Sequence, residues 1–456
     1  MSDLPFGFGS PSPDDENSPG GSGPGGSGGP ENPFAALFGG NPQDLGAAFA
    51  QLGQLLSYEG GPVNWDLARD IARQAVAAGG DPTPSAAQRS AIDDAVRLAE
   101  VWLDAATALP AGTSGSVAWS RAEWVEGTLA TWRSLVDPVA EKVVAATAAA
   151  VPQEMAAMAG PMLGMMRQLG GAMFGAQVGQ GLGALAGEVV GSTDVGLPLG
   201  PSGRAVLLPA GVARFGEGLS VSEDEVRVYL ALRECAHQRL FSHVPWLRGR
   251  LFGAVEDYAR GISVDTSMLE EAMRSVDPSN PEALQEALTS GMFEPQDSDE
   301  QKAALARLET LLALVEGWVD SVVTEAAAAL PSAPALRETV RRARATGGPA
   351  EQTFATLVGL ELRPRRLREA AALWGELLAT RGIDGRDAIW EHAELLPTAD
   401  DLDDPAGFAA RDAFDLSELE GAGAPPADPE DTAAEHPHGG TSDDTDTDSD
   451  TGRDGG

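Results

Sequence analysis

Glycine stands at positions 171, 175, 179, 183, 187 and 191, a strict period of four through the apolar stretch 170–191. On an α-helix that spacing keeps the glycines on one slowly drifting stripe, a smooth ridge against which a second backbone can press. Glycine costs a helix up to about 1 kcal/mol per site relative to alanine, so close packing has to offset it. Three environments suit such a segment. The expected one is a central buried helix. A membrane-spanning dimer helix shares the small-xxx-small pattern, but Arg167, Gln168, Gln177, Gln180 and Glu188 break any apolar run of about 20 residues. A phosphate-cradling loop would need a following Lys-Ser/Thr pair, which is missing.

Around the ridge the chain reads as helices between clear breakers, over 65–78, 85–109, 120–149 and 223–241. Ile92, Val96, Ala99 and Leu103 recur at core spacing. Trp102, Trp119, Trp124 and Trp132 read as core anchors. The best strand candidate is Ala205-Val206-Leu207-Leu208-Pro209, expected to pair in a hairpin with Gly196-Leu197-Pro198-Leu199. The fold class is therefore mainly α with a small β-hairpin or short sheet. Residues 1–32 are Gly, Ser and Pro with little to bury, and 421–456 form an acidic tail; both are expected to be disordered. One helical domain, 33–408, is expected between them, beginning with a short arm at 33–58 and carrying a sub-boundary near 192–220.

A net charge of −38 argues against nucleic-acid or anionic-lipid binding. The one basic cluster, 363–368, is expected to pair with acids of the 376–404 region. With Cys235 as the single cysteine no internal disulfide can form, and with no secretory signal at the N-terminus a cytoplasmic protein is expected. No Walker lysine or Cys-x-x-Cys pair is present.

Chemistry concentrates in Arg233-Glu234-Cys235-Ala236-His237. A zinc peptidase helix uses His-Glu-x-x-His because positions i and i+4 share a face, setting two imidazoles on one metal while the Glu polarises its water. Here the frame has arginine in the first place, and a guanidinium stays protonated and does not ligate zinc. His243 follows His237 by six residues, as in the elongated motif, but Leu240 stands where that motif turns on a glycine. Glu316, set in the apolar helix 311–319, is the candidate third ligand, since a carboxylate there must face a partner, a metal or water. Asp320 lies one turn later. Cys235 points off the Arg233–Glu234–His237 face and is expected to pack.

Longer blocks carry a resemblance: Gly187-Glu-Val-Val-Gly-Ser-Thr-Asp-Val-Gly196, Tyr229 to His237, His243-Val-Pro-Trp-Leu247, Glu316-Gly-Trp-Val-Asp320, and Leu360 to Arg368 leading to Gly385-Arg-Asp-Ala-Ile-Trp390. Over about 33–408 the chain resembles the zincin-like metallopeptidases common in actinobacteria, often labelled zinc-dependent metalloproteases or hydrolases. The resemblance implies a mostly helical zincin-like fold with the metal-type helix at its centre, Glu234 in the general-base position and His237 as the second histidine ligand. It also implies zinc, which Arg233 would leave absent or weakly held.

Two functions are weighed. In the first, Arg233 replaces the metal with Glu234 and Glu316 as counter-charges, and the protein is a non-catalytic binding or scaffold module for a protein or peptide. The second is an active zinc hydrolase, with Glu234 as base and His237 with His243 or Glu316 as ligands. Oligomerisation is left open.

Overall fold

The computed structural model describes residues 61–149, 160–261, 298–346 and 366–411. The arm expected at 33–58 and the two termini expected to be disordered lie outside these residues, as do Arg363 and Arg365 of the basic cluster. The described chain is mostly helical. In order come α1 (Trp65–Ala78), α2 (Ala86–Leu103), β1 (Gly115–Ala118), α3 (Arg121–Ala149), α4 (Gly160–Glu188), β2 (Arg204–Leu207), α5 (Pro209–Gly216) and α6 (Glu223–His243). There follow α7 (Pro245–Arg260), α8 (Asp299–Ala326), α9 (Ala333–Thr346), α10 (Leu367–Asp387) and α11 (Pro405–Ala410).

The glycine ridge finds its partner in α1. A Cβ on Gly175 would stand 2.5 Å from the Asn64 carbonyl oxygen, and one on Gly183 would stand 2.7 Å from Ala75 Cβ. At Gly179 the distances would be 2.6 Å to Ala68 O and 2.8 Å to Ile71 Cβ. No side chain fits at such separations, so the two backbones meet only because these positions are glycine. The Asn64 amide donates to Gly171 O at 2.9 Å, which fixes the start of α1 against the ridge. No helix among the described residues is long and apolar enough to cross a membrane.

Two helices occupy the centre. Every residue of α6 from Tyr229 to Leu240 is buried, as is every residue of α8 from Leu311 to Val323. Helices buried on all sides belong to a core rather than a surface, and these two pack on each other. Ser222 caps α6 by accepting from Glu225 N, and Glu223, Asp224 and Glu225 match the positive end of its dipole. α2 begins in the capping box of Ser85 and Gln88 but stops at Leu103, short of the 109 expected. There Arg239 of α6, fully buried, donates to the Glu100 carbonyl at 2.7 Å and to the Leu109 carbonyl at 3.0 Å, supplying a cation and donors to carbonyls at and beyond the helix end.

Strand β2 forms where expected, but its partner corrects the hairpin reading. It pairs in parallel with β1, Gly115 opposite Arg204 through Ala118 opposite Leu207, with a lone antiparallel bridge from Gly191 to Leu207. Gly196–Leu199 turns instead of extending: Gly196 has φ +77°, and its amide bonds back to Thr193 O at 2.8 Å. Pro198 has no N–H to give to a ladder. Trp124 and Trp132 are fully buried, while Trp102 and Trp119 sit half-covered at the edge of the core. Within the basic cluster, Arg366 pairs with Asp403, inside the acidic region expected for it.

Candidate functional site

Helix α6 carries Arg233 and His237 one turn apart, and α8 brings Glu316 to both. Arg233 Nη2 donates to Glu316 Oε2 at 2.6 Å, and His237 Nε2 meets Glu316 Oε1 at 3.0 Å. A third cation arrives from α9, with Arg344 Nη2 at 3.4 Å from Glu316 Oε1 and 3.6 Å from Asp194. Burial alone would raise the Glu316 carboxyl, but Arg344, Arg233 and His237 outweigh it and hold the group far below the usual carboxylate range. Arg233 is also desolvated, and Glu316 more than compensates, so its guanidinium stays charged.

His237 is posed as a ligating histidine is. Its Nδ1 faces the Arg233 carbonyl at 2.9 Å, the backbone contact that in metal sites fixes the ring and leaves Nε2 to face the ion. Two donors of one tetrahedral zinc stand about 3.4 Å apart, close to the spacing between His237 Nε2 and Glu316 Oε1.

Glu234 does not face Arg233's partners. Its Oε1 accepts from Ser192 Oγ at 2.6 Å, Gln238 Nε2 at 3.2 Å and Val206 N at 3.3 Å. Its Oε2 accepts from Thr193 Oγ1 at 2.6 Å and Thr193 N at 3.2 Å. A carboxylate offers about four lone-pair positions, so these five donors occupy it fully. The expectation that Glu234 serves as a counter-charge to Arg233 is therefore replaced: it ties the 191–193 loop and strand β2 to α6. Gly191, last of the ridge, is glycine for the same reason, since a Cβ there would stand 2.7 Å from Glu234 Oε2.

The remaining candidates separate. His243 ends α6 in an exposed position with Nε2 at 3.3 Å from Ala111 O. Six residues at about 100° each turn it roughly 120° away from His237, so the His237/His243 pairing is corrected. Asp320 is held by Arg337 and Arg341, each through Nη2 at 2.6 Å. Cys235 is fully buried among core residues as expected, and burial pushes its thiol well up. Ser192, Thr193, Arg344 and Gln238 were not foreseen as site residues. Ser192 and Thr193 stand in the 187–196 block that carries the resemblance, but no chemical pattern of their own marked them.

As a zinc site the arrangement falls short by its donors. Structural and catalytic zinc take at least three protein ligands. Here the motif supplies His237 and α8 supplies Glu316, and a guanidinium stands where the next donor would. Among the described residues no group of three or more His, Cys, Asp or Glu could hold a metal ion. The cavity beside the cluster, between Thr193, Leu207, Arg233, Glu234 and His237, measures about 20 Å³. That is room for one water molecule and not for a peptide.

A family model described as "Zincin-like metallopeptidase" matches residues 63–409. Among solved structures, the "Crystal structure of a putative hydrolase with a novel fold from Chloroflexus aurantiacus" superposes with a TM-score of 0.54 at 23% identity, covering 76% of this chain and 97% of that chain. At that identity the likeness speaks for the fold alone. No curated protein matches the chain.

Proposed function

The chain belongs to the zincin-like metallopeptidase family, and from that premise we propose that it is a non-catalytic member, acting as a binding or scaffold protein for a protein or peptide. The observation that carries this reading is the buried 2.6 Å ion pair between Arg233 and Glu316. In a working zinc peptidase the metal joins the two helices and activates water. Here the guanidinium joins them, supplying positive charge to Glu316 without an open coordination position. Glu234, saturated by hydroxyl and amide donors, has no lone pair left for a water.

Metal analysis of protein purified without chelator tests the proposal. The expected result is no stoichiometric zinc. One tightly bound zinc per chain, together with peptide cleavage lost in Glu234→Gln, would overturn it in favour of a hydrolase built on His237 and Glu316. A gain-of-function variant adds a second check. Arg233→His replaces the cation with a third donor beside His237 and Glu316, and should give a chain that takes up one zinc. If that variant holds no more zinc than the parent, Arg233 is not what keeps the metal out.

A further inference from the structure

A second cavity lies one helical turn from the motif, where the end of α8 meets the start of α9. Its volume is about 430 Å³, within the roughly 300–1,000 Å³ typical of small-molecule sites. Ala328, Leu330 and Pro334 form an apolar wall, and Tyr229, Arg337 and Arg341 a polar one. The two arginines are not loose surface chains. Asp320, 3% exposed, takes Nε and Nη2 of Arg337 at 3.0 and 2.6 Å, and Nη2 of Arg341 at 2.6 Å. Both guanidinium planes are thereby fixed, with their Nη1 edges not committed to Asp320.

We propose that this cavity binds a small organic monocarboxylate, its carboxylate taken by Arg337 and Arg341 and its apolar body lying against Leu330 and Pro334. Arginine's planar fork suits a carboxylate, and a fork already pinned loses little freedom on binding. Tyr229, whose buried hydroxyl is held protonated, adds a neutral donor. Glu338 also lines the cavity, with its nearest cation, Arg342, 3.6 Å away. With Asp320 it balances the two arginines, which disfavours a dianion such as phosphate relative to a monocarboxylate. The proposal stands whether or not zinc is bound at His237 and Glu316.

Calorimetric titration of the full chain with 4-phenylbutyrate, and with its uncharged amide, tests this. The acid should bind saturably and the amide about tenfold more weakly or worse. Arg341→Gln should remove that preference. Should Arg341→Gln unfold the protein by releasing Asp320, Ala328→Trp serves instead: Ala328 is exposed, so the indole fills the cavity without entering the core and should abolish binding. No saturable binding of the acid, equal binding of acid and amide, or unchanged binding in Ala328→Trp would each overturn the proposal. Zinc content of the same sample reports separately on Arg233, so the failure of one reading does not hide the other.

Discussion

Replacing Glu316 by Gln changes no volume and removes one charge, which isolates what the carboxylate does. It sits 2% exposed with Arg233 Nη2 on Oε2 and His237 Nε2 with Arg344 on Oε1. An amide accepts on one side only, so in either orientation its NH2 faces a donor. Arg233, 7% exposed, is left as a buried cation with its 2.6 Å partner neutralised. Breaking a buried ion pair from one side costs about 3–5 kcal/mol, most of it the desolvated charge left behind. Against a total stability of about 5–15 kcal/mol, that is a large share.

Urea unfolding followed by tryptophan fluorescence is the assay, since Trp318 is buried on the helix that carries Glu316. The informative set is the parent, Glu316→Gln, Arg233→Met, and the double variant. Removing the stranded cation should recover most of the loss, so the double variant should be more stable than Glu316→Gln alone. Arg233→Met by itself should cost less than Glu316→Gln, because Glu316 keeps His237 and Arg344. The reasoning is refuted if Glu316→Gln lies within about 1 kcal/mol of the parent, or if the double variant is no better than it.

Three further outcomes follow from the same contacts. Glu234→Gln should destabilise by about 1–3 kcal/mol, because an amide cannot accept all five donors; an unchanged urea midpoint would contradict the saturated carboxylate. Gly179→Ala should cost about 1–3 kcal/mol by overpacking against Ala68 and Ile71. Gly187→Ala, with nothing within 4 Å of the new Cβ, should be neutral or stabilising by up to about 1 kcal/mol, and thermal melts of the pair decide. Glu316 and Asp320 both titrate below their ordinary values of 4.5 and 3.8. A depressed carboxyl contributes its full stability above the unfolded value and loses it as pH falls toward the folded one. Stability should therefore fall as pH drops below about 4.5, less steeply in Glu316→Gln, and parallel acid titrations of the two proteins would expose equal slopes.

What could be read from the sequence was local. α6 announces itself through Ser222 and three first-turn acids, α2 through the stripe of Ile92, Val96, Ala99 and Leu103, and Glu316 through the cost of placing a carboxylate in an apolar helix. Glu316, a carboxylate in an apolar helix, and Arg233, a cation at a ligand position, were legible as two charges in need of each other, although the sequence also offered Glu234 as a partner for Arg233. The setting of Glu234 was not. Apart from Gln238 one turn on, its donors come from Ser192, Thr193 and Val206, 28–42 residues upstream; the strand that holds Val206 was expected, but nothing local aims its amide or the 192–193 turn at α6. Strand β1 was invisible for a similar reason. Four residues, Gly-Ser-Val-Ala, carry almost no β signal, and parallel pairing with a strand 89 positions away follows only from the packing of the helices between.

Helix α9 ties the motif site and the larger cavity to one set of interactions. Arg337, Arg341 and Arg344 recur at helical spacing and reach α8 at Asp320, Asp320 and Glu316 respectively. Leu336 and Val340 bury beneath them, so α9 docks by a short apolar seam and a row of charges. The two α8 carboxylates are one turn apart and, counting Arg233, meet four arginines. Arg344, one turn beyond Arg341 on α9, sets part of the field at Glu316 and hence the strength of the Arg233 pair.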